Sequence, residues 1–127
     1  MKELIPIGII EEGYRTVGQE DTALTLKSGD LPVYATPALV AFLEYSAKEL
    51  VRKYLDDNET TVGIKMEINH IKASKIGAAI RSKAEVVEVE GKKITFKVEA
   101  YDGETRIGFG THERFIVDRI KFIAKLG

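Results

Sequence analysis

The sequence predicts a two-layer α+β domain, with one long helix packed on an antiparallel sheet of about five strands. Two observations lead to this fold class. Apolar residues repeat at helical spacing in one long segment, and after that segment they alternate with polar residues. Since a single helix can bury its apolar stripe only against such a sheet, the two layers share one core. The length of 127 residues suits one domain, so residues 1–127 are expected to fold together.

Two weaker elements precede the helix. Residues 13–17 favour a short extended segment, and residues 22–26 alternate only loosely. A loop then begins at the turn-forming residues Ser28, Gly29, Asp30 and Pro32. The first strand is therefore expected to be short and to lie N-terminal to the helix.

The long helix is predicted from Pro37 to about Asp56. Thr36 is a good N-cap because its hydroxyl can accept a hydrogen bond from the first turn, and Pro37 suits the first helical position. The apolar stripe of this helix consists of Leu39, Val40, Leu43, Ala47, Leu50, Val51, Tyr54 and Leu55.

Four strands follow the helix, each with a period of two. The first of them places on one face Val62, Ile64, Met66, Ile68 and His70. The second covers Ile80 to Val89 and the third Ile94 to Ala100, with a turn at residues 90–92. The fourth runs from Ile107 to Val117. Because short turns join successive strands, we expect a meander.

The predicted architecture leaves surfaces that a second copy of the chain can cover. One helix covers only one face of the sheet. The sheet edges also expose unpaired N–H and C=O groups, which proteins usually protect. Pairing of two copies solves one or both problems, so a homodimer is expected.

The composition is that of a globular protein and excludes several classes of site. With 19 basic and 20 acidic side chains, the formal net charge of −1 provides no basic field for nucleic acid. The absence of Cys excludes disulfides, thiolate nucleophiles and Cys-based zinc sites. Only two His are present, so no metal site is predicted. No apolar run has the length of a membrane span or a signal peptide, and we expect a cytoplasmic location.

Two polar residues interrupt the predicted apolar layer between helix and sheet. Glu44 falls between Val51 and Leu55 on the helical wheel, where a carboxylate can act as a base or a nucleophile. His70 continues the inward face of its strand and can move protons near neutral pH. The alternatives are a Glu that reaches solvent and a hydrogen-bonded His without a chemical role. Because both residues point into one layer, their convergence favours a site.

Four further residues have both a structural and a functional interpretation. Thr36 can cap the helix, or its hydroxyl and the nearby N–H groups can bind an anion. Gly63 can mark a bulge, or it can permit the close approach of a ligand. His112 and Arg114 lie opposite the aromatic residues of the last strand. We interpret that face as solvated or interfacial for His112, and for Arg114 contact with a phosphate or other ligand stays open.

Several of these residues occur in segments that resemble a known family. The segments are Ser28–Pro37, Glu44, Thr61–Gly63, Asn69–His70 and Gly110–Arg114. Together they are similar to the fluoroacetyl-CoA thioesterase-like branch of the hotdog-fold superfamily. The resemblance extends over about residues 22–117, and its most specific part is the spacing of the Thr, the Glu and the His.

The resemblance implies a hotdog fold, in which an antiparallel sheet wraps a long helix and two copies join their sheets. It also implies a hydrolase that cleaves acyl-CoA thioesters, a reaction that needs no cofactor and no metal. It assigns Thr36, Glu44 and His70 to catalysis. Gly63 is assigned a backbone contact near the acyl group, and Arg114 a contact with the ligand.

The segment before the helix departs from the halogen-selective members of this family, which are expected to carry Phe there. Residues 18–35 contain no Phe, and their larger apolar residues are Leu24, Leu26, Leu31, Val33 and Tyr34. We therefore expect a thioesterase for short acyl chains in general. Leu31, Val33 and Tyr34 are expected to line its acyl pocket.

The expected mechanism places the thioester carbonyl near Thr36 and the helix N-terminus, whose donors stabilise the oxyanion. Glu44 attacks the carbonyl or activates water, and His70 relays protons. Both routes remain open. Thr36 and Glu44 are separated by about 12 Å along the helix axis. A compact site is therefore expected to draw them from two protomers, or to join them through substrate and water.

Three other functions are compatible with the same fold. The main alternative is a non-catalytic module that binds acyl-CoA or lipid, and another is a purely structural dimerisation domain. A hydratase is expected to carry an Asp followed five residues later by a His, a pattern that is absent from this chain. The polar trio in an otherwise apolar layer favours the thioesterase.

Overall fold

The computed structural model describes residues 1–127 and contains five strands, one long helix and two short helices. None of the helices combines the length and the apolar character needed to cross a membrane. In chain order the elements are β1 (Ile10–Thr16), α1 (Ala23–Leu26), α2 (Thr36–Val51), β2 (Glu59–His70), β3 (Ala79–Glu90), β4 (Lys93–Asp102), β5 (Thr105–Asp118) and α3 (Arg119–Ala124).

The five strands form one antiparallel sheet in the order β1-β3-β4-β5-β2. This arrangement confirms the predicted fold class of one long helix on a five-stranded antiparallel sheet. Strands β3, β4 and β5 form the expected meander, but the prediction is wrong for β2, which pairs with β5 and not with β3. Residues 71–78 carry the chain across the sheet to begin β3. As a result β1 and β2 are the two edge strands.

Helix α2 begins one residue before the predicted start and ends earlier than expected. Ala35 precedes it in extended conformation and is the N-cap, so Thr36 lies inside the first turn and the predicted N-cap is wrong by one residue. After Val51 the chain tightens into a 3₁₀ turn at Arg52–Tyr54. The buried face of α2 consists of Leu39, Phe42, Leu43, Ser46, Ala47, Leu50 and Val51.

The core lies between this face of α2 and the inner face of the sheet. Burying each large apolar side chain there contributes roughly 1.5–3 kcal/mol. The sheet contributes fully or almost fully buried side chains from three strands, namely Ile80, Ala84, Val86, Ile94, Phe96, Val98, Ala100, Ile107 and Ile116.

The outer face of the sheet is polar over β3 and β4, whereas at its β5–β2 side Phe115 and Ile64 are 39% and 52% exposed. The carboxylate of Glu99 accepts hydrogen bonds from the Tyr101 hydroxyl at 3.0 Å and from Arg106 at 3.4 Å. The guanidinium of Arg81 lies 4.4 Å from the centre of the Tyr101 ring. Because charged and aromatic side chains satisfy one another on β3 and β4, the case for dimerisation depends on the edge strands and on the exposed apolar residues beside β2.

Two short helices were not predicted, and local capping explains both. The Thr22 hydroxyl accepts a hydrogen bond from the backbone N–H of Thr25 at the start of α1. The Asp118 carboxylate does the same for Lys121 at the start of α3. Both helices are shorter than two full turns, so the apolar periodicity that identified α2 does not reveal them.

Candidate active site

Thr36 and His70 form a direct contact between the start of α2 and the end of β2. The Thr36 hydroxyl lies 2.8 Å from Nδ1 of His70. This hydroxyl makes no capping bond within α2. The interpretation of Thr36 as a simple helix cap is therefore wrong, and its hydroxyl is instead joined to an imidazole.

The environment of His70 keeps its imidazole uncharged at neutral pH. Burial lowers the pKa of His70, and a backbone hydrogen bond at Lys72 only partly opposes that effect. The ring of Tyr34 meets the imidazole edge-on, with 6.4 Å between the ring centres. No protein group in the chain hydrogen-bonds to the buried Nε2 of His70. That nitrogen therefore has no partner within the chain and is left for a group that reaches it from outside.

A pocket of about 310 Å³ opens beside this pair. Its wall includes Val33 and Tyr34, as expected for the acyl pocket, whereas Leu31 is exposed and does not line it. Burial raises the pKa of Tyr34 to about 12, so its hydroxyl stays neutral. Besides Thr36 and His70, the pocket is lined by Ala23, Ser28, Val33, Tyr34, Ala35, Pro37, Ile71, Lys72 and Ala73.

The N-terminus of α2 lies at the same place and carries hydrogen-bond donors. The first intrahelical bond runs from the N–H of Leu39 to the carbonyl of Ala35. The N–H groups of Thr36 and Ala38 therefore have no partner in the preceding turn, and Pro37 has no N–H. Such donors favour a developing negative charge on oxygen.

Glu44 lies two turns further along α2, beside a different part of β2. Its side chain is 39% exposed, and its Oε2 lies 3.8 Å from Nη1 of Arg114. Gly63 lies against this carboxylate, because a Cβ added at Gly63 would come 2.7 Å from Oε2. Gly63 therefore provides the space in which the Glu44 carboxylate is held.

Arg114 is buried behind Glu44 and is held by several hydrogen bonds. Its Nε donates to the Thr61 hydroxyl at 2.8 Å, and its Nη2 donates to the Thr61 carbonyl at 3.0 Å. Its Nη1 donates to Nε2 of His112 at 3.2 Å. With 8% of its side chain exposed, Arg114 presents little surface beyond the part that faces Glu44.

The interpretation of His112 as a solvated or interfacial residue is wrong, since the residue is 1% exposed. The inward face of β5 carries Gly108 and Gly110, so it is less apolar in sequence than the outward face. A Cβ at Gly108 would lie 3.0 Å from the Leu39 side chain, which explains the small residue. The apolar pattern thus pointed to the wrong face of β5.

A bulge in β2 allows both Gly63 and His70 to face the helix. Gly63 pairs with Arg114 and Lys65 pairs with Glu113, so Ile64 is an extra residue without a partner. Ile64 is 52% exposed, and Val62 pairs with Phe115 on the outward face, which corrects the prediction that these two residues share the inward face with Met66. A regular strand of the same length would turn either Gly63 or His70 towards solvent.

Within one chain the candidate residues form two separate clusters. The first contains Thr36, His70 and Tyr34, and the second contains Glu44, Gly63 and Arg114. The clusters lie about 12 Å apart along α2 and about 20 Å apart along β2. The chain therefore does not bring the predicted trio together.

A basic pocket of about 310 Å³ adjoins the second cluster. Thr61, which holds Arg114, is part of its wall. Two of its acidic residues, Asp56 and Glu59, lie 3.3 Å and 2.7 Å from the terminal ammonium group, which compensates part of their charge. The cationic residues that line this pocket are Lys2, Lys48, Arg52, Lys53 and Arg119.

Comparisons with known proteins identify relatives that cover most of the chain. The profile of the fluoroacetyl-CoA-specific thioesterase family (FlK) matches residues 11–120. The fluoroacetyl-CoA thioesterase of Streptantibioticus cattleyicolor is 34% identical over 94 residues, which are 74% of this chain and 68% of that protein.

Solved structures of thioesterases are also similar to this chain. A structure of the fluoroacetyl-CoA thioesterase FlK superimposes with a TM-score of 0.93 at 28% identity, covering 98% of this chain and 96% of that one. A mutant of FlK in complex with fluoroacetate and CoA has a TM-score of 0.89 at 27% identity, covering 93% and 99%. A Thermus thermophilus member of the thioesterase superfamily also has a TM-score of 0.89, at 28% identity, covering 97% and 91%.

Proposed function

The chain belongs to the fluoroacetyl-CoA-specific thioesterase family and is a thioester hydrolase, and from this premise we propose that it hydrolyses short-chain acyl-CoA thioesters at a site shared by two copies of the chain. The observation that carries the proposal is the Thr36–His70 pair at the wall of an apolar pocket. The pocket volume of about 310 Å³ lies at the small end of ligand sites, which supports a short acyl group.

The proposed reaction consumes one water and releases a carboxylic acid and CoA. In the direct route Glu44 takes a proton from water, the water oxygen bonds to the thioester carbon, and the C–S bond breaks. In the covalent route a Glu44 oxygen forms that bond first, and water then hydrolyses the resulting anhydride. In the direct route His70 takes that proton from Glu44 and passes it to the leaving sulfur. In the covalent route CoA leaves as the thiolate, and His70 takes a proton from the water that hydrolyses the anhydride and passes it to that sulfur. The Thr36 hydroxyl orients the imidazole, and the N–H groups of Thr36 and Ala38 stabilise the oxyanion.

The separation of the two clusters supports a site built from two protomers. We propose that edge strand β2 pairs with the same strand of a second copy in antiparallel orientation. A two-fold axis near Met66 and Glu67 then places His70 of one copy opposite Gly63 of the other. Glu44, which lies against Gly63, thereby meets the Thr36–His70 pair of the partner. Ile64 and Ile71, each half exposed near this edge, gain cover in such a dimer.

In this proposal Arg114 keeps the Glu44 carboxylate in place. Three of its nitrogens are bound to Thr61 and His112, so its position is fixed before substrate arrives. The direct ligand contact that the family resemblance implies for Arg114 stays a prediction. Tyr34 is proposed to shape the acyl pocket through its ring, and Gly63 to place its backbone beside the acyl group.

A thiol-release assay with a panel of acyl-CoA substrates tests the proposed function. We expect turnover of acetyl-, propionyl- and butyryl-CoA, and a specificity constant for octanoyl-CoA that is at least about tenfold lower, because its chain exceeds the pocket. Fluoroacetyl-CoA is expected within about 100-fold of acetyl-CoA, because the pocket has no Phe to recognise fluorine. If acyl-CoA binds and no thiol is released from any substrate, the non-catalytic binding module replaces the thioesterase.

We further propose that the basic pocket binds the phosphates of the CoA substrate. It lies beside Thr61 and hence beside the Glu44 end of the shared site. The side chains of Lys2, Lys53 and Arg119 form no ion pair within the chain and remain available to anions. The acyl group and the phosphates would then lie on opposite sides of the reacting carbonyl.

Replacing both Lys53 and Arg119 by Ala is expected to raise KM for acetyl-CoA about tenfold, because two charge-assisted contacts with phosphate are lost. The same variant should leave KM unchanged for an acetyl-pantetheine thioester, which lacks the nucleotide. A Lys92→Ala/Lys97→Ala variant removes equal charge outside the pocket and serves as the control. An equal rise in KM for both substrates would contradict the assignment.

A further inference from the structure

The hydrogen bonds of His112 determine its protonation state. Its Nδ1 lies 2.7 Å from the carbonyl oxygen of Lys65, which can only accept, so Nδ1 carries the hydrogen. Its Nε2 lies 3.2 Å from Nη1 of Arg114, which can only donate, so Nε2 is an acceptor. The ring is therefore a neutral imidazole of one defined tautomer. Burial lowers the pKa of His112, and the positive charge of Arg114 lowers it further.

The acceptor nitrogen of His112 contacts the same guanidinium nitrogen that faces Glu44. Nη1 of Arg114 lies between His112 Nε2 and Glu44 Oε2, at 3.2 Å and 3.8 Å. The other two guanidinium nitrogens are bound to Thr61. His112 is thus the group that directs the nitrogen on the Glu44 side. The His112 ring is itself fixed by stacking on Phe96, with 6.0 Å between the ring centres.

We infer that His112 is a positioning residue for thioester hydrolysis, which holds the Arg114 guanidinium so that it orients the Glu44 carboxylate. This inference rests on the proposed role of Glu44. His112 touches neither substrate nor reacting atoms and acts only through Arg114. The Lys65 carbonyl, which anchors the imidazole, belongs to the bulge of β2. The geometry of the carboxylate is therefore linked to the backbone of an edge strand.

Two substitutions separate the positioning role of His112 from its structural one. The amide of Gln reaches the place of Nε2, so His112→Gln keeps an acceptor for Arg114 and loses the donor to Lys65. The shorter amide of Asn reaches only the place of Nδ1, so His112→Asn keeps the donor to Lys65 and leaves Arg114 without its acceptor. Each variant thus removes one of the two hydrogen bonds.

We expect kcat for acetyl-CoA to fall about tenfold in His112→Asn, the effect of one hydrogen bond to a charged group, with KM within about threefold of wild type. In His112→Gln, kcat is expected to stay within about threefold of wild type. His112→Asn loses the charge-assisted hydrogen bond and more side-chain volume, so its melting temperature is expected to be the lower of the two. The kcat values are therefore compared well below both melting temperatures, where a merely structural His112 would leave the two variants equally active.

The link through Arg114 is tested by combining variants. In an Arg114→Lys background, His112→Asn is expected to cause little further loss of kcat, because the guanidinium that it positions is gone. A full tenfold loss in that background, or equal activity of the Asn and Gln variants in the wild-type background, would overturn the inference. Measuring Glu44→Gln in the same series tests the role of Glu44 separately from that of His112. Full activity of that variant refutes the proposed role of Glu44, whereas a large loss with an unaffected His112→Asn refutes only the role of His112.

Discussion

Replacing Glu44 by Gln is expected to lower kcat for acetyl-CoA about 10³-fold, the range found for removal of a general base or nucleophile. The amide has nearly the shape of the carboxylate but can neither attack the carbonyl nor take a proton from water. Because Glu44 is 39% exposed and has no partner other than Arg114, the substitution should not unfold the protein. The measurement is kcat by thiol release, together with the melting temperature.

Glu113→Gln is the matched control for this variant. Glu113 precedes Arg114 on β5, and its side chain points to the opposite face of the strand. Its substitution removes the same charge and should leave kcat unchanged. Full activity of Glu44→Gln, with folding intact, would remove Glu44 from the catalytic set.

Mixing two inactive variants is expected to restore activity if the site is shared between protomers. Thr36→Ala and Glu44→Gln damage different clusters of the chain. In a heterodimer of the two, one site carries both substitutions and the other carries neither. Random exchange of subunits at equal amounts should therefore recover about a quarter of the wild-type activity. The measurement is thiol release before and after exchange, with exchange itself followed by mass spectrometry of the intact dimers.

A second pair of variants is the control for this mixing experiment. Thr36 and His70 lie in one cluster of the same chain, so a heterodimer of Thr36→Ala and His70→Ala contains no intact site. This mixture should show no recovery. Recovery in neither mixture, despite proven exchange, would mean that each protomer holds a complete site or that the clusters do not cooperate.

The sequence allowed the fold to be predicted where apolar periodicity was strong. The stripe on α2 and the alternation in β3 and β4 determined the helix, the sheet and their shared core. The place of β2 was missed, because strand order depends on which edges meet and not on the pattern within a strand. The short helices α1 and α3 were missed because capping side chains, and not apolar repeats, define them.

The candidate site was predictable only in part for similar reasons. Glu44 and His70 stood out because each interrupts an apolar face. The hydrogen bond between Thr36 and His70 joins residues 34 positions apart and could not be derived from local spacing. The roles of Thr61 and His112 were hidden, since the glycines on the inward face of β5 made that face look solvent-exposed.

The bulge at Ile64 has a consequence for how sequences of this kind tolerate insertions and deletions. Gly63 and His70 are separated by an odd number of positions, and in an unbroken strand such residues point in opposite directions. The extra residue Ile64 compensates for this odd spacing, so the length of the segment and the bulge must change together. Loss of one residue keeps Gly63 and His70 on the same face only if the bulge is lost with it. In relatives that share this chemistry, an odd spacing between this glycine and this histidine should therefore occur with a bulge, and an even spacing without one.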